Sequence, residues 1–261
     1  MQRLKADHLD LAQIAASGQC FRMTAEGKGF VIHAGDRRVS ALQKDDILEL
    51  DCRKEDLSFW RSYFDLETDY GQFIAAIDPA DEYLQKAASF GSGIRILRQD
   101  LWEMIVTFLI SQQNNLPRIR RCIENLCSRY GEDRGGWRAF PEPEALADLP
   151  EDALMPCNLG YRSKYVVRSA RQAASGEVDL EAIKEMSYPR VREELQKLFG
   201  VGGKVADCIC LFALHHLDAF PVDTHIRQVF DAQYPAGFPF ERYRGFAGVL
   251  QQYIFYYDLK G

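Results

Sequence analysis

From about residue 8 to residue 52 the apolar positions come in short bursts, at 20–23, 30–33, 37–42 and 47–50. The turn formers Glu26-Gly27-Lys28-Gly29 and Gly35-Asp36 separate them, a pattern that predicts a meander of short strands in a twisted antiparallel sheet. Beyond Lys54 the spacing changes to that of helices, over 57–64, 82–88, 101–110, 119–130 and 164–175. Pro141-Glu142-Pro143 and Pro156 punctuate this region, and Pro143-Glu144-Ala145-Leu146 reads as a helix start. From Lys204 onward, Val205, Ala206, Cys208, Ile209, Leu211, Phe212 and Leu214 form a nearly continuous apolar helix that must be buried in a helical body. The fold class expected is α+β, an N-terminal antiparallel sheet followed by a mostly helical remainder.

At 261 residues the chain can build one sizeable core or two modest domains. Its 47% hydrophobic and 27% charged residues are those of an ordinary globular protein. No stretch approaches the roughly 18 apolar residues of a membrane span, and MQRLKADHLD lacks the apolar centre of a secretory signal. A cytoplasmic monomer is therefore expected, at the nucleoid if the source is prokaryotic. Seven cysteines are scattered, with no CxxC pair; this fits a reducing compartment and argues against a disulfide framework or a cysteine-held metal.

Gly200-Val201-Gly202 is too glycine-rich for a helix interior, so the chain must turn there and leave backbone N–H groups free at the head of the next helix. Such a turn can hold a phosphate. Lys204 sits in the first turn of that helix, and Asp223 follows nineteen positions later, just before another predicted helix start at Thr224. Aspartate is a preferred N-cap, so Asp223 has a structural reading beside any chemical one.

This constellation resembles the helix-hairpin-helix DNA glycosylases, and within them the 8-oxoguanine DNA glycosylase family. Five other segments are similar to the family's pattern, in the family's order: Ser17 to Arg22, Ile94 to Asp100, the run ISQQNNLPR at 110–118, Leu159-Gly160-Tyr161-Arg162, and 255–259. The resemblance implies an antiparallel β domain over 1–95 with flanking helices, and a helix-hairpin-helix glycosylase body over 96–261 holding the active-site cleft. It departs at Phe199, where the family hairpin has proline. The cysteine cluster of the endonuclease III-like branch has no counterpart beyond Cys210.

Carried over residue by residue, the resemblance implies that Lys204 attacks the sugar, that Asp223 stabilises its developing positive charge, and that a Schiff base then drives β-elimination. Deprotonation of Lys204 would be favoured by burial, positive neighbours or the positive end of the helix. Cys208 and Phe255 match the residues that stack on the base, Gln251 the one that hydrogen-bonds its edge, and the Gly18 carbonyl the acceptor for the extra N7–H of 8-oxoguanine. In ISQQNNLPR, Gln113 stands where animal-type members have the first of three asparagines, followed by Asn114 and Asn115; either Gln113 or Asn114 would fill the gap left by the flipped base. Arg118 matches the reader of the opposite cytosine and Tyr161 a wedge beside it. Arg162, the hairpin residues Gly200, Val201 and Gly202, and His225 complete the expected DNA contacts. No cofactor is implied.

The partner implied is double-stranded DNA carrying 8-oxoguanine opposite cytosine, although the net charge of −6 runs against DNA binding. Acidic residues concentrate at 45–56 and 132–152, while Arg118, Arg120, Arg121, Arg162, Lys164, Arg168, Lys204 and Arg227 fall near the motifs. A locally basic groove on an acidic body is expected. Two other readings stay open: a related glycosylase for another damaged base, and a non-catalytic damage-binding protein. Retention of both Lys204 and Asp223 speaks against the second.

Overall fold

A computed structural model describes residues 1–261. The chain opens with strand β1 (Gln2–Lys5) and helix α1 (Leu11–Ala16), followed by the meander β2 (Met23–Glu26), β3 (Gly29–Ala34), β4 (Arg37–Lys44) and β5 (Ile47–Asp51). The sheet is antiparallel throughout, in the order β1-β5-β4-β3-β2. Alternation along β4 buries Val39 and Ala41 and exposes Arg38, as one packed face requires. Helices follow: α2 (Leu57–Tyr63), α3 (Tyr70–Ala75), α4 (Glu82–Phe90), α5 (Leu101–Ser111), α6 (Leu116–Tyr130), α7 (Pro143–Ala147), α8 (Ser163–Ala174), α9 (Leu180–Lys184), α10 (Tyr188–Leu195), α11 (Gly203–Phe212), α12 (Thr224–Gln233) and α13 (Ala247–Lys260). The α+β architecture expected from the sequence is the one observed. No helix is long and apolar enough to cross a membrane.

Two N-terminal elements escape the pattern reading, and one strand is misplaced. β1 buries only Leu4, too little for an alternation to register. In α1 the i, i+3, i+4 set Leu11, Ile14 and Ala15 is buried behind an Asp10 cap, but six residues are too few to stand out from neighbouring strands. The strand expected at 20–23 lies three residues later, as β2, which begins at Met23. Cys20 and Met23 are buried in the sheet's core and Phe21 in the helical core, because the segment crosses between the two, where side chains replace a ladder. Gln19 Nε2 donates to the Arg95 carbonyl (2.9 Å), the Leu97 N–H donates to Gln19 Oε1 (2.9 Å), and Gln99 Nε2 donates to the Gln19 carbonyl (2.9 Å). These bonds fix the approach of Gly18 to the helical body.

One apolar cluster lies under the sheet, with Ile14, Ile32, Leu48, Leu50 and Trp60 at its centre, and a larger one fills the helical body. Residues exchange across the seam: Phe21 belongs to the helical core and Leu97 to the sheet's. Helix α5 runs through the helical core with every residue from Leu101 to Ile110 buried, as an apolar helix with no polar face must. It packs on α11, where Phe108 stacks on Phe212 at 5.5 Å.

Glu103 is the one carboxylate buried in α5. It accepts the Gly35 N–H (3.2 Å) from the sheet and lies 3.7 Å from the Arg22 guanidinium. Burial pushes its carboxyl up to about 7, against the pull of Arg22. Between an ordinary carboxyl pKa near 4.5 and this value, the folded protein holds a proton that the unfolded chain has released. Stability from this group is therefore fully present below the lower value and lost as pH rises through the upper one. In Glu103→Gln that slope is absent. The variant should gain on the wild type by up to about 3 kcal/mol between the two values, read from urea midpoints at pH 5 and pH 8. Parallel pH profiles would refute it.

Candidate active site

The hairpin between α10 and α11 is built by its glycines. Gly200 has φ +93°, and a Cβ there would lie 2.7 Å from the Tyr165 ring, so both conformation and space exclude a side chain. Val201 is buried and its N–H donates to the Leu198 carbonyl (3.1 Å), anchoring the turn. Gly202 caps α11 with no side-chain acceptor and is open to solvent. The Ala206 N–H, bonded to the Gly202 carbonyl (2.9 Å), begins the helical ladder. The N–H groups of Gly203, Lys204 and Val205 have no acceptor within the helix.

These groups border a cavity of about 730 Å³ whose walls include Gly18, Phe108, Gln113, Asn114, Asn115, Gly202, Lys204, Asp223, His225 and Phe255. A recess of about 40 Å³ shares its walls and adds Cys208, Gln251 and Gln252. Gly18, at φ +80°, presses on Phe255: a Cβ there would come within 3.2 Å of the ring. Phe255 is also met edge-on by His225 at 5.7 Å, and His225 Nδ1 pairs with Asp258 Oδ2 at 2.7 Å, locking α12 to α13. Gln251 is buried; its Nε2 donates to the Pro221 carbonyl (3.1 Å), and its Oε1 accepts from Gln252 Nε2 (3.1 Å).

Asp223 caps α12 as its position suggested, Oδ1 accepting the Ile226 N–H at 3.0 Å. Lys204 stands at the cavity mouth with Nζ 5.9 Å from the centre of the Phe108 ring. Its amine pKa is raised, by Cys208 first and then by Asp223, with burial opposing. Burial pushes the Cys208 thiol up in turn, which leaves Asp223 as the negative neighbour at neutral pH. Of the two influences that remain, burial favours the free amine and is the larger, and Asp223 opposes it.

The α5–α6 connection makes the opposite wall. Asn115 caps α6, accepting the Arg118 N–H (3.0 Å), so Arg118 stands at the start of a helix. Asn114 folds back on α5, its Nδ2 donating to the Ile110 carbonyl (3.0 Å) and its Oδ1 accepting the Asn115 N–H (3.0 Å). Gln113 is exposed, at φ +47°. Tyr161 is 46% exposed, which removes its reading as a core residue, and its hydroxyl lies 3.4 Å from Gln113 Oε1.

Arg162 is only 3% exposed, and its position corrects the expectation of a ready DNA contact. Nε donates to the Gln112 carbonyl (2.8 Å), Nη2 to the carbonyls of Gln112 and Gln113 (2.9 Å to the latter), and Nη1 to that of Leu159 (3.3 Å). The basic groove is likewise thinner than expected. Arg120 donates to the Ala15 carbonyl, Arg168 is paired with Glu151, and of the eight cations Lys204 alone lines the cavity. Arg118, Arg121, Lys164 and Arg227 remain exposed.

Lys204, Asp223, Gly18, Cys208, Gln251 and Phe255 are thus brought together, with Gln113 and His225 at the rim. Arg118, Tyr161, Arg162, Gly200 and Val201 lie outside the cavity walls. Sequence reading missed Phe108, the floor beneath Lys204, because it looks like any other member of the apolar run. It also missed Gln112, whose Nε2 donates to the Gly200 carbonyl (3.1 Å) and joins the loop to the hairpin.

The cavity with its lysine and aspartate lies behind a helix-hairpin-helix, and residues 106–236 match the HhH-GPD superfamily of base excision DNA repair proteins. Residues 2–105 match the N-terminal domain of 8-oxoguanine DNA glycosylase. The chain belongs to the 8-oxoguanine DNA glycosylase/lyase family. The Saccharomyces cerevisiae N-glycosylase/DNA lyase is 31% identical over 264 residues, covering 88% of this chain and 70% of that one. The structure of MBOgg1 with a low-affinity DNA ligand superposes with a TM-score of 0.92 at 35% identity, over 99% of this chain and 95% of that one. The Clostridium acetobutylicum 8-oxoguanine glycosylase/lyase, solved with double-stranded DNA containing cytosine opposite 8-oxoguanine, gives 0.89 at 34% identity, over 96% and 92%.

The cap and the charge of Asp223 can be separated. Asp223→Asn should keep an acceptor for the Ile226 N–H and leave stability within a few tenths of a kcal/mol, while Asp223→Ala should cost about 1 kcal/mol. Urea unfolding checks this; equal losses in the two variants would show that the carboxylate charge, and not the cap, holds α12.

Proposed function

We propose that this chain excises 8-oxoguanine lying opposite cytosine in double-stranded DNA and nicks the resulting abasic site through a Schiff base on Lys204. The observation that carries the reading is the convergence of Lys204 and Asp223 on one cavity beside the free N–H groups of the hairpin. Those N–H groups and the positive end of α11 suit a phosphate next to the lesion. Gly202 and His225 stand at the same rim.

The flipped base enters between Cys208 and Phe255. The recess there is about 40 Å³ in the free protein, and the slot opens on binding. Phe255, half-buried, is the wall that yields; Cys208 is fully buried. The Gly18 carbonyl accepts the N7–H that guanine lacks, and Gln251 meets the base edge. Lys204 must be unprotonated to attack C1′, with Asp223 as the acceptor for its proton within the site. Once the proton has moved, the amine joins C1′, the base departs, and β-elimination of the 3′ phosphate follows from the Schiff base.

Gln113, not Asn114, fills the space of the departed base. Both polar ends of Asn114 are committed to backbone groups, whereas Gln113 is exposed in a left-handed conformation that costs of order 1 kcal/mol or more and marks a residue held for use. Tyr161 wedges beside it, and Arg118 reads the opposite cytosine.

Borohydride reduction of the wild-type protein on an 8-oxoguanine:cytosine duplex should trap a covalent complex that Lys204→Gln does not form. Tight binding with no trapping in the wild type would make this a damage-binding protein, and neither binding nor trapping would assign another lesion. Gln113→Ala should slow single-turnover release of 8-oxoguanine by about ten-fold, a fraction of the few kcal/mol that flipping costs. Asn114→Ala should act on thermal stability instead. The reverse pattern would assign the gap to Asn114.

A further inference from the structure

Phe199, which replaces the family's proline just before Gly200, is 36% exposed. Its backbone does not depend on that ring. The Phe199 N–H donates to Gln172 Oε1 (2.9 Å) and its carbonyl accepts from Ser169 Oγ (3.2 Å), so α8 holds the turn at this point. A proline here would remove the first of these bonds. The ring meets Tyr165 edge-on at 5.6 Å, and Tyr165 meets Tyr161 in the same way at 5.6 Å. Tyr165 also lies directly against Gly200. Three rings thus run without a break from the hairpin to the loop that carries Gln113.

Tyr161 and Phe199 are exposed and Tyr165 between them is half-buried; rings left in water in this way mark a contact surface. Cations are interleaved: Lys164 Nζ lies 5.7 Å over the Tyr165 ring, and Arg168 lies 4.3 Å over Phe199. Glu151 answers the charge of Arg168 at 2.7 and 3.1 Å, while Lys164 is exposed. Aromatic faces beside a cation, continuous with a phosphate-holding hairpin, fit nucleic acid better than an apolar protein partner. We infer that Tyr165, Phe199 and Lys164 extend the DNA-binding face beyond the lesion. The rings pack on deoxyribose of the flanking duplex and Lys164 meets a phosphate there. The inference rests on the glycosylase reading and adds a flank contact made by a residue in which this chain departs from its family.

The test is the affinity for a duplex with a stable abasic-site analogue opposite cytosine, measured by anisotropy at several salt concentrations, with borohydride trapping on an 8-oxoguanine duplex to count active molecules. Phe199→Ala should weaken binding about five-fold or more, Phe199→Tyr should restore it, and Lys164→Ala should lower the salt slope by roughly one. Shortening the flank on the hairpin side should abolish the difference between wild type and Phe199→Ala. Alanine variants that bind like the wild type at every flank length would overturn the strip while leaving the glycosylase reading intact. A wild type that neither binds nor traps would overturn both. If Phe199→Ala failed to fold, the flank dependence of wild-type affinity would decide: a gain with length on the hairpin side supports the contact, and no gain removes it.

Discussion

The site depends on the packing of α5 against α11. Both are apolar on nearly every side, so neither can carry polar chemistry along its length, and functional groups are confined to their ends. Because the two helices pack with the C-terminus of α5 beside the N-terminus of α11, carbonyl acceptors and N–H donors arrive at one cavity. The two ends are treated differently. The carbonyls of Gln112 and Gln113 are occupied by the buried Arg162 guanidinium, whereas the N–H groups of Gly203, Lys204 and Val205 have no helical acceptor. One end is neutralised within the protein and the other is left to receive an anion. The Gln112 side chain, bonded to Gly200, keeps the two ends in register.

The electrostatics of Lys204 follow from the same geometry. An amine at the N-terminal turn of a buried helix would lose its charge if burial and the helix dipole acted alone. Here Asp223, at the head of α12, opposes them. In the proposed reaction this makes Asp223 more than a spectator charge. The carboxylate that faces the same cavity as Lys204 is also the group to which its proton can go, and its cap bond to Ile226 keeps it from swinging away.

Much of this was visible in the chain itself, and what was not has identifiable causes. The meander, the long helices and the hairpin announced themselves through period and glycine spacing, because those signals are local. β1 and α1 were too short to carry a period, and β2 was expected three residues early because Cys20 and Phe21, buried where the chain crosses between the two cores, leave the same apolar trace as burial in a sheet. The cap role of Asp223 could be read from type and position. That Arg162 would be buried could not: its partners are backbone carbonyls fifty residues away, which have no sequence signature. Phe108 was hidden for the opposite reason, since one apolar residue in a run of ten has nothing to distinguish it.

An acidic chain that reads as a DNA enzyme has to find its affinity somewhere other than bulk charge. Several of the arginines that clustered near the motifs are spent inside the protein, on loop carbonyls, on Ala15 and on Glu151. What faces the cavity is instead a set of directed groups: free backbone N–H donors, one lysine amine, one imidazole and polar amides at the loop. Such groups act over a few ångströms and favour one placement of a backbone, where a diffuse positive field would attract any DNA equally. The protein would then give up some non-specific affinity and gain register. A strip of aromatic rings beside the hairpin serves the same end, because apolar contact with sugar is insensitive to salt and does not require the positive charge that this chain lacks.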